Sequence, residues 1–205
     1  DHDMNAHLKE QEIASHPRRK AAVLVPIIEY EHGLHLLLTQ RTDHLRTHAG
    51  QVSFPGGAMD ETDRDPVHTA IREAREEIGL TADYIDPIGQ LDTYLTGTGF
   101  EITPIVAFIK PGFIVVPDAH EVADVFEVPL DFLMDKQNHQ TLTGFWKGKE
   151  RRYYAMPYDG RQIWGATATE KTQNRLAGVL AGSGGSSPMR LVLAGWLWLA
   201  LTGSS

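Results

Sequence analysis

The sequence predicts an α/β fold built as one folded domain, and three observations support this prediction. Two stretches, residues 21–28 and 34–40, are almost continuously apolar and have the length of buried strands around a turn at residues 31–33. Residues 66–78 instead carry apolar side chains at helical spacing. The chain has 205 residues, which is enough to bury a sizeable core.

The helix at residues 66–78 has recognisable ends. Asp65 is a natural N-cap, Pro66 suits the first helical position, and Gly79 suits the position after the last turn. At 100° per residue the apolar side chains form one stripe that must face a core. This stripe contains Val67, Ala70, Ile71, Ala74 and Ile78.

Further elements are predicted after this helix, and the chain divides into three parts. We expect strands near residues 84–93, 100–109, 140–146 and 151–157, a short helix at 130–136 and a final helix after Trp164. The predicted parts are a polar, His-rich lead-in at 1–19, a folded domain at 20–181, and a Gly/Ser linker with an apolar tail at 182–205.

Composition narrows the class of protein. The formal net charge of −8 argues against a non-specific nucleic-acid binder, which would need a basic surface. The chain has no cysteine, so it has no disulfide framework, and redox compartment is not determined by that route. No secretory signal is visible, and we therefore expect a cytoplasmic location.

Three carboxylates crowd one flank of the predicted helix, beside its apolar stripe. They belong to Glu73, Glu76 and Glu77. Like charges at i,i+4 destabilise a helix by about 0.2–0.5 kcal/mol per pair, so such a cluster indicates a cation. Mg²⁺ is usually shared between a few carboxylates and substrate phosphates. A solvated face with an ion pair between Arg72 and Glu76 is the alternative interpretation.

A Gly-rich turn precedes the carboxylate helix and favours the metal interpretation. Gly56 and Gly57 permit backbone conformations and close approaches that other residues resist. A backbone carbonyl in this turn can therefore join the carboxylates at an ion. Turn and helix together predict a metal–phosphate site.

The segment FPGGAMDETDRDPVHTAIREAREEIGL, residues 54–80, resembles the Nudix box, GX5EX7REUXEEXGU with U a bulky apolar residue. Residues 72–80 match its second half. The first half departs from the pattern, because the acidic position counted from Gly57 falls on Asp63, and eight residues rather than seven separate Asp63 from Arg72. The resemblance implies an α/β/α sandwich with a mixed β-sheet and a pyrophosphohydrolase activity.

Upstream, LLLTQRTDHLRTHAGQVSFPGG at residues 36–57 is similar to the signature of the coenzyme A pyrophosphatase branch, LLTxR[SA]x3Rx3Gx3FPGG. Thr42 replaces the usual Ser or Ala. Weaker similarity extends the resemblance to roughly residues 20–168. Arginine suits phosphate oxygens, and coenzyme A carries a pyrophosphate and a 3′-phosphate. The candidate substrate-binding residues are Arg41, Arg46, His48, Gln51 and Phe54.

The resemblance also implies a cofactor and catalytic residues. Glu73, Glu76 and Glu77, with a carbonyl near Gly57, would bind Mg²⁺ or Mn²⁺, with Glu73 the most peripheral of the three. Glu76 and Glu77 are also the catalytic candidates on the helix. Glu121 is the candidate general base, because it lies in a loop similar to that of the family. A zinc site at His44 and His48 is disfavoured, because no third ligand of matching character is nearby.

The predicted reaction is hydrolysis of coenzyme A and its derivatives to 3′,5′-ADP and 4′-phosphopantetheine or its acyl form. Another Nudix specificity, such as ADP-ribose or a dinucleotide, would keep the same metal site and change only the outer pocket. A non-catalytic nucleotide-binding module would need a damaged metal helix, whereas this one is intact. The expected partner is therefore a small molecule and not a nucleic acid.

The apolar run at residues 191–201 is about half the length needed to span a bilayer, so a membrane-spanning role is not expected. The prediction is a final helix that packs on the sandwich or on a second copy of the chain as a homodimer. Attachment to a membrane surface and an artefact of the sequence are the alternatives that remain open.

Overall fold

The computed structural model describes residues 18–96, 98–146, 149–164 and 170–182. Within these ranges the chain forms one large mixed sheet, one small antiparallel sheet and three α-helices. The helices are α1 (Pro66–Ile78), α2 (Leu130–Met134) and α3 (Glu170–Gly182), and short 3₁₀ turns lie at Ala82–Tyr84 and Lys136–Asn138.

The strands follow in chain order. Those of the large sheet are β1 (Arg19–Tyr30), β2 (Gly33–Arg41), β3 (Val52–Ser53), β4 (Gly56–Ala58), β5 (Ile85–Gln90), β6 (Tyr94–Leu95), β7 (Phe100–Ile109) and β8 (Val122–Pro129). Those of the small sheet are β9 (Gln140–Trp146), β10 (Lys149–Tyr158) and β11 (Arg161–Trp164).

Strand β1 organises the large sheet. It runs parallel to β7 over ten residue pairs, from Arg19 opposite Phe100 to Ile28 opposite Ile109. On its other edge its second half pairs with β2 and its first half pairs with β4, both antiparallel. Strands β3 and β8 add to β2, and β5 and β6 add to β7. The sheet is therefore mixed, as predicted.

Both faces of the large sheet are buried. Successive side chains of a strand point to opposite faces, so neighbouring residues of β1 belong to different core clusters. On one face Leu24 of β1 and Ile105 of β7 share a core cluster with Ile78 of α1. On the other face Val25 shares a cluster with Leu176 of α3. That second cluster also contains Met156 and Ile163 of the small sheet, and Phe54. Burial on both faces explains why β1 is almost continuously apolar in sequence.

Helix α1 begins and ends as the sequence predicts. The Asp65 side chain accepts a hydrogen bond of 2.8 Å from the backbone N–H of His68, and Gly79 has a left-handed φ of 71°. Ala70, Ala74 and Ile78 of the predicted apolar stripe are fully buried. The carboxylate flank beside this stripe is thereby fixed in position relative to the sheet.

The other predicted elements agree in part with the structure. Strands at 100–109 and 140–146 have the expected bounds, whereas the expected strand at 84–93 extends only from Ile85, after a 3₁₀ turn, to Gln90. The expected helix at 130–136 ends at Met134. Strands β3, β4, β6, β8 and β11 were not predicted. The lead-in before residue 18 and the apolar run at 191–201 lie outside the described residues, so their roles and the three-part division stay predictions.

In the described part of the chain, no helix combines the length and apolar character needed to cross a membrane.

The turn before α1 passes very close to strand β1. Gly56 has a φ of 156°, and a Cβ atom placed on it would lie 2.4 Å from the carbonyl oxygen of Ala22 and 2.6 Å from the Cα of Val23. Backbone atoms cannot yield to such a contact as a flexible side chain can. Glycine at position 56 therefore allows β4 to pair with β1 beneath the carboxylate helix.

We expect Gly56→Ala to destabilise the fold more than Gly33→Ala does. Gly33 has a similar φ of 139°, but no atom lies within 4 Å of the place that a methyl group would occupy, so its substitution costs only the backbone strain, about 1–3 kcal/mol. Gly56→Ala adds a backbone clash worth about another 1–3 kcal/mol. Urea unfolding of both variants measures the difference, and equal losses would contradict the close approach.

Candidate active site

Glu77 is the deepest carboxylate on the flank of α1. It is only 5% exposed, its Oε2 accepts a 3.1 Å hydrogen bond from the Gly56 N–H, and its Oε1 lies 3.6 Å from Nη1 of Arg41. Burial raises the pKa of Glu77 to about 7, although the Gly56 N–H and Arg41 oppose the shift. The charges of Glu73 and Glu121 raise this pKa further. Such a carboxylate is costly to ionise without a further cation.

The Glu73 carboxylate lies against the same glycine turn as Glu77, but beside Gly57 rather than Gly56. A Cβ atom on Gly57 would lie 2.6 Å from the carboxyl carbon of Glu73, so any larger residue at this position would displace the Glu73 carboxylate. Burial raises the pKa of Glu73, and the nearby Arg72 opposes this shift. Carboxylate and glycine backbone therefore form a closely packed oxygen-rich cradle.

Glu76 differs from its two neighbours. Its side chain is half exposed and pairs with Nη1 of Arg72 at 2.8 Å, which is the i,i+4 ion pair of the solvated-face interpretation. The structure therefore places Glu73 deeper than Glu76, opposite to the order expected from the sequence. The solvated-face interpretation applies to Glu76 but not to the buried Glu77, whereas Glu73, 17% exposed, is largely buried and also pairs with Nη1 of Arg72 at 3.0 Å.

Asp63 and Arg72 link the loop before α1 to the helix. Nε and Nη2 of Arg72 donate to the two carboxylate oxygens of the buried Asp63, at 3.1 and 2.9 Å. Nη2 also donates to the carbonyl of Ala58 at 3.1 Å. The Arg72 guanidinium is the main reason why the pKa of Asp63 lies far below its ordinary value. Asp63 thus holds Arg72 against β4 despite the extra residue in the intervening segment.

Arg41 lies between two acidic groups of the site. Its Nη1 faces Glu77, and its Nη2 lies 3.9 Å from Oε2 of the half-exposed Glu121. The buried Nε of Arg41 has no hydrogen-bond partner within the part of the chain that is described. Unsatisfied buried donors are rare in proteins. Arg41 therefore borders both carboxylates directly through its two terminal nitrogens.

The remaining predicted substrate residues occupy different environments. Arg46 and His48 are exposed in the loop after β2, where His48 adopts a positive φ of 58°. Nδ1 of His48 is 2.8 Å from Oε1 of Gln51. Phe54, by contrast, is only 8% exposed and belongs to the core cluster beneath α3. The structure thus gives Phe54 a packing role, and its contact with substrate stays a prediction.

The carboxylates of α1 suit a hard divalent cation, although they do not point at one common position. Among the described residues no three acidic or histidine side chains are already arranged around one point. Yet Glu73 and Glu77 crowd the Gly56–Gly57 backbone, and burial raises the pKa of both. Oxygen donors with this environment are those that Mg²⁺ and Mn²⁺ bind. The cradle at Gly57 therefore fits the expected cofactor.

The loop after β7 is attached to the end of α1 by hydrogen bonds that the spacing of residues in the sequence could not predict. The backbone N–H of Asp118 donates to the carbonyl of Glu77 at 2.9 Å, and the N–H of Val116 donates to the carbonyl of Ile78. These bonds fix the loop to the end of α1. Glu121, which follows in the same loop, therefore lies near the carboxylates of α1. The only signal in the sequence is Asp118 itself, since aspartate favours turns.

The raised pKa of Glu77 predicts how the stability of the metal-free protein depends on pH. Between pH 4.5, the ordinary pKa, and about 7, the folded state retains a proton that the unfolded state releases, so stability falls as the pH rises. The change approaches about 3 kcal/mol. Glu77→Gln should remove the Glu77 contribution and so reduce this slope, as measured by urea unfolding at about pH 5 and about pH 8, while Glu73 keeps a contribution of the same sign.

The matched control for this measurement is Glu76→Gln, which removes a half-exposed carboxylate from the same helix. It should keep the wild-type slope. A Glu77→Gln protein that also kept the full wild-type slope would show that Glu77 is not the group responsible.

Comparison with known proteins identifies the family. A family model described as NUDIX domain matches residues 17–146. Two relatives described as uncharacterized Nudix hydrolase NudL, from Yersinia pestis (strain Pestoides F) and Yersinia pseudotuberculosis (serotype O:1b, strain IP 31758), are each 40% identical over 151 residues. The aligned part covers 74% of this chain and 75% of each relative.

Among solved structures, a MutT/nudix family protein from Enterococcus faecalis matches with a TM-score of 0.53 and 15% identity, over 98% of this chain and 79% of that one. A likeness at this identity concerns the fold, and it confirms the predicted α/β class. The residues that the family model matches contain the large sheet, the carboxylate helix and the two arginines that border it, Arg41 and Arg72. The chain therefore belongs to the Nudix hydrolase family.

Proposed function

We propose that this Nudix hydrolase cleaves the pyrophosphate bond of coenzyme A and its derivatives, giving 3′,5′-ADP and 4′-phosphopantetheine or its acyl form. One observation carries the proposal. The strand that bears the coenzyme A signature ends at Arg41, whose guanidinium borders the buried carboxylate of Glu77. Signature and carboxylate helix therefore meet at one site, where phosphate groups and a divalent cation can be bound together.

Glu73, Glu76 and Glu77, with the carbonyl of Gly57, would hold Mg²⁺ or Mn²⁺. When bound, such a cation neutralises charge on phosphoryl oxygens and acidifies water. Arg72 keeps α1 in place for this role, because it bridges Asp63 and Glu76 across the loop and the helix. The buried position of Glu77 excludes bulk water from one side of the site, which strengthens every electrostatic interaction within it.

Glu121 is the proposed general base. Its carboxylate is half exposed and faces Arg41, so water can reach it beside the metal-binding carboxylates. Other acids of the same region are engaged elsewhere. Asp124 pairs with Arg161, and Glu127 accepts a 3.0 Å hydrogen bond from the hydroxyl of Tyr30. In the proposed reaction an oxygen of Glu121 takes the proton of the attacking water.

Substrate recognition is assigned to the arginines of the signature. The Arg41 guanidinium, whose terminal nitrogens face Glu77 and Glu121, suits an oxygen of the pyrophosphate. Arg46 is exposed in the loop after β2, where it can reach a group outside the carboxylate site. We assign it to the 3′-phosphate, the dianion that distinguishes coenzyme A from dephospho-coenzyme A and ADP-ribose. The proposed reaction requires a small-molecule substrate and a divalent cation. The cytoplasmic location of the enzyme stays a prediction.

Glu77→Gln should abolish nearly all turnover and weaken Mn²⁺ binding, because it removes the charge of the deepest carboxylate without changing its shape. Glu150→Gln is the control, since it changes an exposed glutamate of β10. Initial rates at saturating Mn²⁺ and calorimetric titration with Mn²⁺ alone provide the two measurements. A folded Glu77→Gln protein with wild-type activity and Mn²⁺ affinity would refute the metal site.

The wild-type enzyme should prefer coenzyme A to dephospho-coenzyme A and to ADP-ribose in kcat/KM. A charge-assisted hydrogen bond contributes about 1.5–3 kcal/mol, so loss of the 3′-phosphate should cost about tenfold to a hundredfold. Arg46→Ala should narrow this gap in kcat/KM between coenzyme A and dephospho-coenzyme A, because it removes the proposed contact with the 3′-phosphate. Arg64→Ala, which removes an exposed arginine outside the signature, should leave the gap unchanged.

Product analysis by chromatography over the three compounds decides the assignment. Equal efficiency on coenzyme A and ADP-ribose would refute the proposed substrate and favour a broader Nudix specificity. A preference for coenzyme A that persists in Arg46→Ala would keep the substrate and transfer its recognition to another residue.

A further inference from the structure

Thr42 makes two hydrogen bonds to the segment that carries Glu121. Its backbone N–H donates to the carbonyl of Glu121 at 3.0 Å, and its Oγ1 donates to the carbonyl of His120 at 3.1 Å. Thr42 itself is buried, with 6% of its surface exposed. Because the side chain is β-branched, its hydroxyl has few alternative directions. Thr42 therefore holds residues 120–121 by both its backbone and its side chain.

The same loop is fixed from its other side by α1. The Asp118 N–H donates to the carbonyl of Glu77, and the Asp118 side chain accepts from the His120 N–H at 2.9 Å. The N–H groups of Glu121 and Val122 both donate to the carbonyl of Asp118. Residues 118–121 thus form a short bridge between the catalytic helix and the end of β2.

Strand β2 ends in a register shift, after which Arg41 and Thr42 contact different parts of the site. The shift between Gln40 and Arg41 in the pairing of β2 with β8 lets the chain leave the regular ladder at this point. The Arg41 side chain then lies between Glu77 and Glu121, while Thr42 bonds the backbone at Glu121. The direction of the Glu121 carboxylate therefore depends on both residues.

We propose that Thr42 is a positioning residue whose hydroxyl holds the 118–121 bridge so that Glu121 faces the carboxylate site. This inference rests on the proposed function, in which Glu121 is the general base. It gives a role to the one position where the signature stretch carries a Thr in place of Ser or Ala. Thr42 touches no reacting atom and acts through Glu121.

The test uses the full chain with saturating Mn²⁺ and coenzyme A. Thr42→Val keeps the shape and removes the hydroxyl, so kcat should fall about three- to tenfold while KM stays unchanged, as expected for one lost hydrogen bond. Thr42→Ser retains the donor and should restore most of the rate. Thr39→Val is the matched control and should keep the wild-type kcat, because it removes a buried hydroxyl of β2 that bonds the Ser53 carbonyl and not residues 120–121.

A double-mutant cycle tests whether the effect passes through Glu121. Glu121→Gln should lower kcat by about 10²–10⁴-fold. In that background Thr42→Val should have no further effect, because the base that it positions is already absent. An equal loss in both backgrounds would refute the positioning role, as would an unchanged kcat in Thr42→Val.

Amide hydrogen exchange of the metal-free protein gives a readout independent of turnover. Thr42→Val should speed exchange at Glu121 and Val122, whose N–H groups belong to the bridge, and should leave the amides of α1 unchanged. Unchanged exchange at the bridge would overturn the inference. If the wild type instead cleaves ADP-ribose and not coenzyme A, the proposed substrate fails. The kinetic cycle is then run with ADP-ribose, so the role of Thr42 is still decided.

Discussion

The close approach of helix α1 to the turn at Gly56–Gly57 is the constraint on which the site depends. A side chain at Gly56 would strike the backbone of β1, and one at Gly57 would strike the carboxylate of Glu73. Without glycine at position 56, strand β4 could not lie where the Gly56 N–H donates to Glu77. The packing of one turn between a strand and a helix therefore determines where the carboxylates can lie.

Two arginines compensate the buried negative charge, and they come from different parts of the chain. Arg72 is local to the helix and binds Asp63 of the preceding loop through two parallel hydrogen bonds. Arg41 comes from the end of β2 and lies between Glu77 and Glu121. The first arginine fixes the architecture, since its main partner is fully buried. The second borders the open side of the site, where substrate phosphates are proposed to bind.

Local signals predicted the elements that have regular patterns. The cap at Asp65, the glycine at position 79 and the apolar stripe between them located α1, because all three act within a few residues of the helix. Strand β8 was missed, because its sequence mixes acidic with apolar residues and its burial arises from pairing with the distant β2. Strands β3 and β4 have two and three residues, too few for any periodic pattern.

By itself the sequence determined the α/β class, the family resemblance, the helix α1 and the set of carboxylates on its flank. Only the tertiary structure decided which carboxylates are buried. It placed Glu73 below Glu76, Phe54 in the core and Arg41 against Glu77. The reason is physical: helix caps and periodicity depend on neighbours in sequence, whereas burial and ion pairing depend on residues brought together from distant strands and loops.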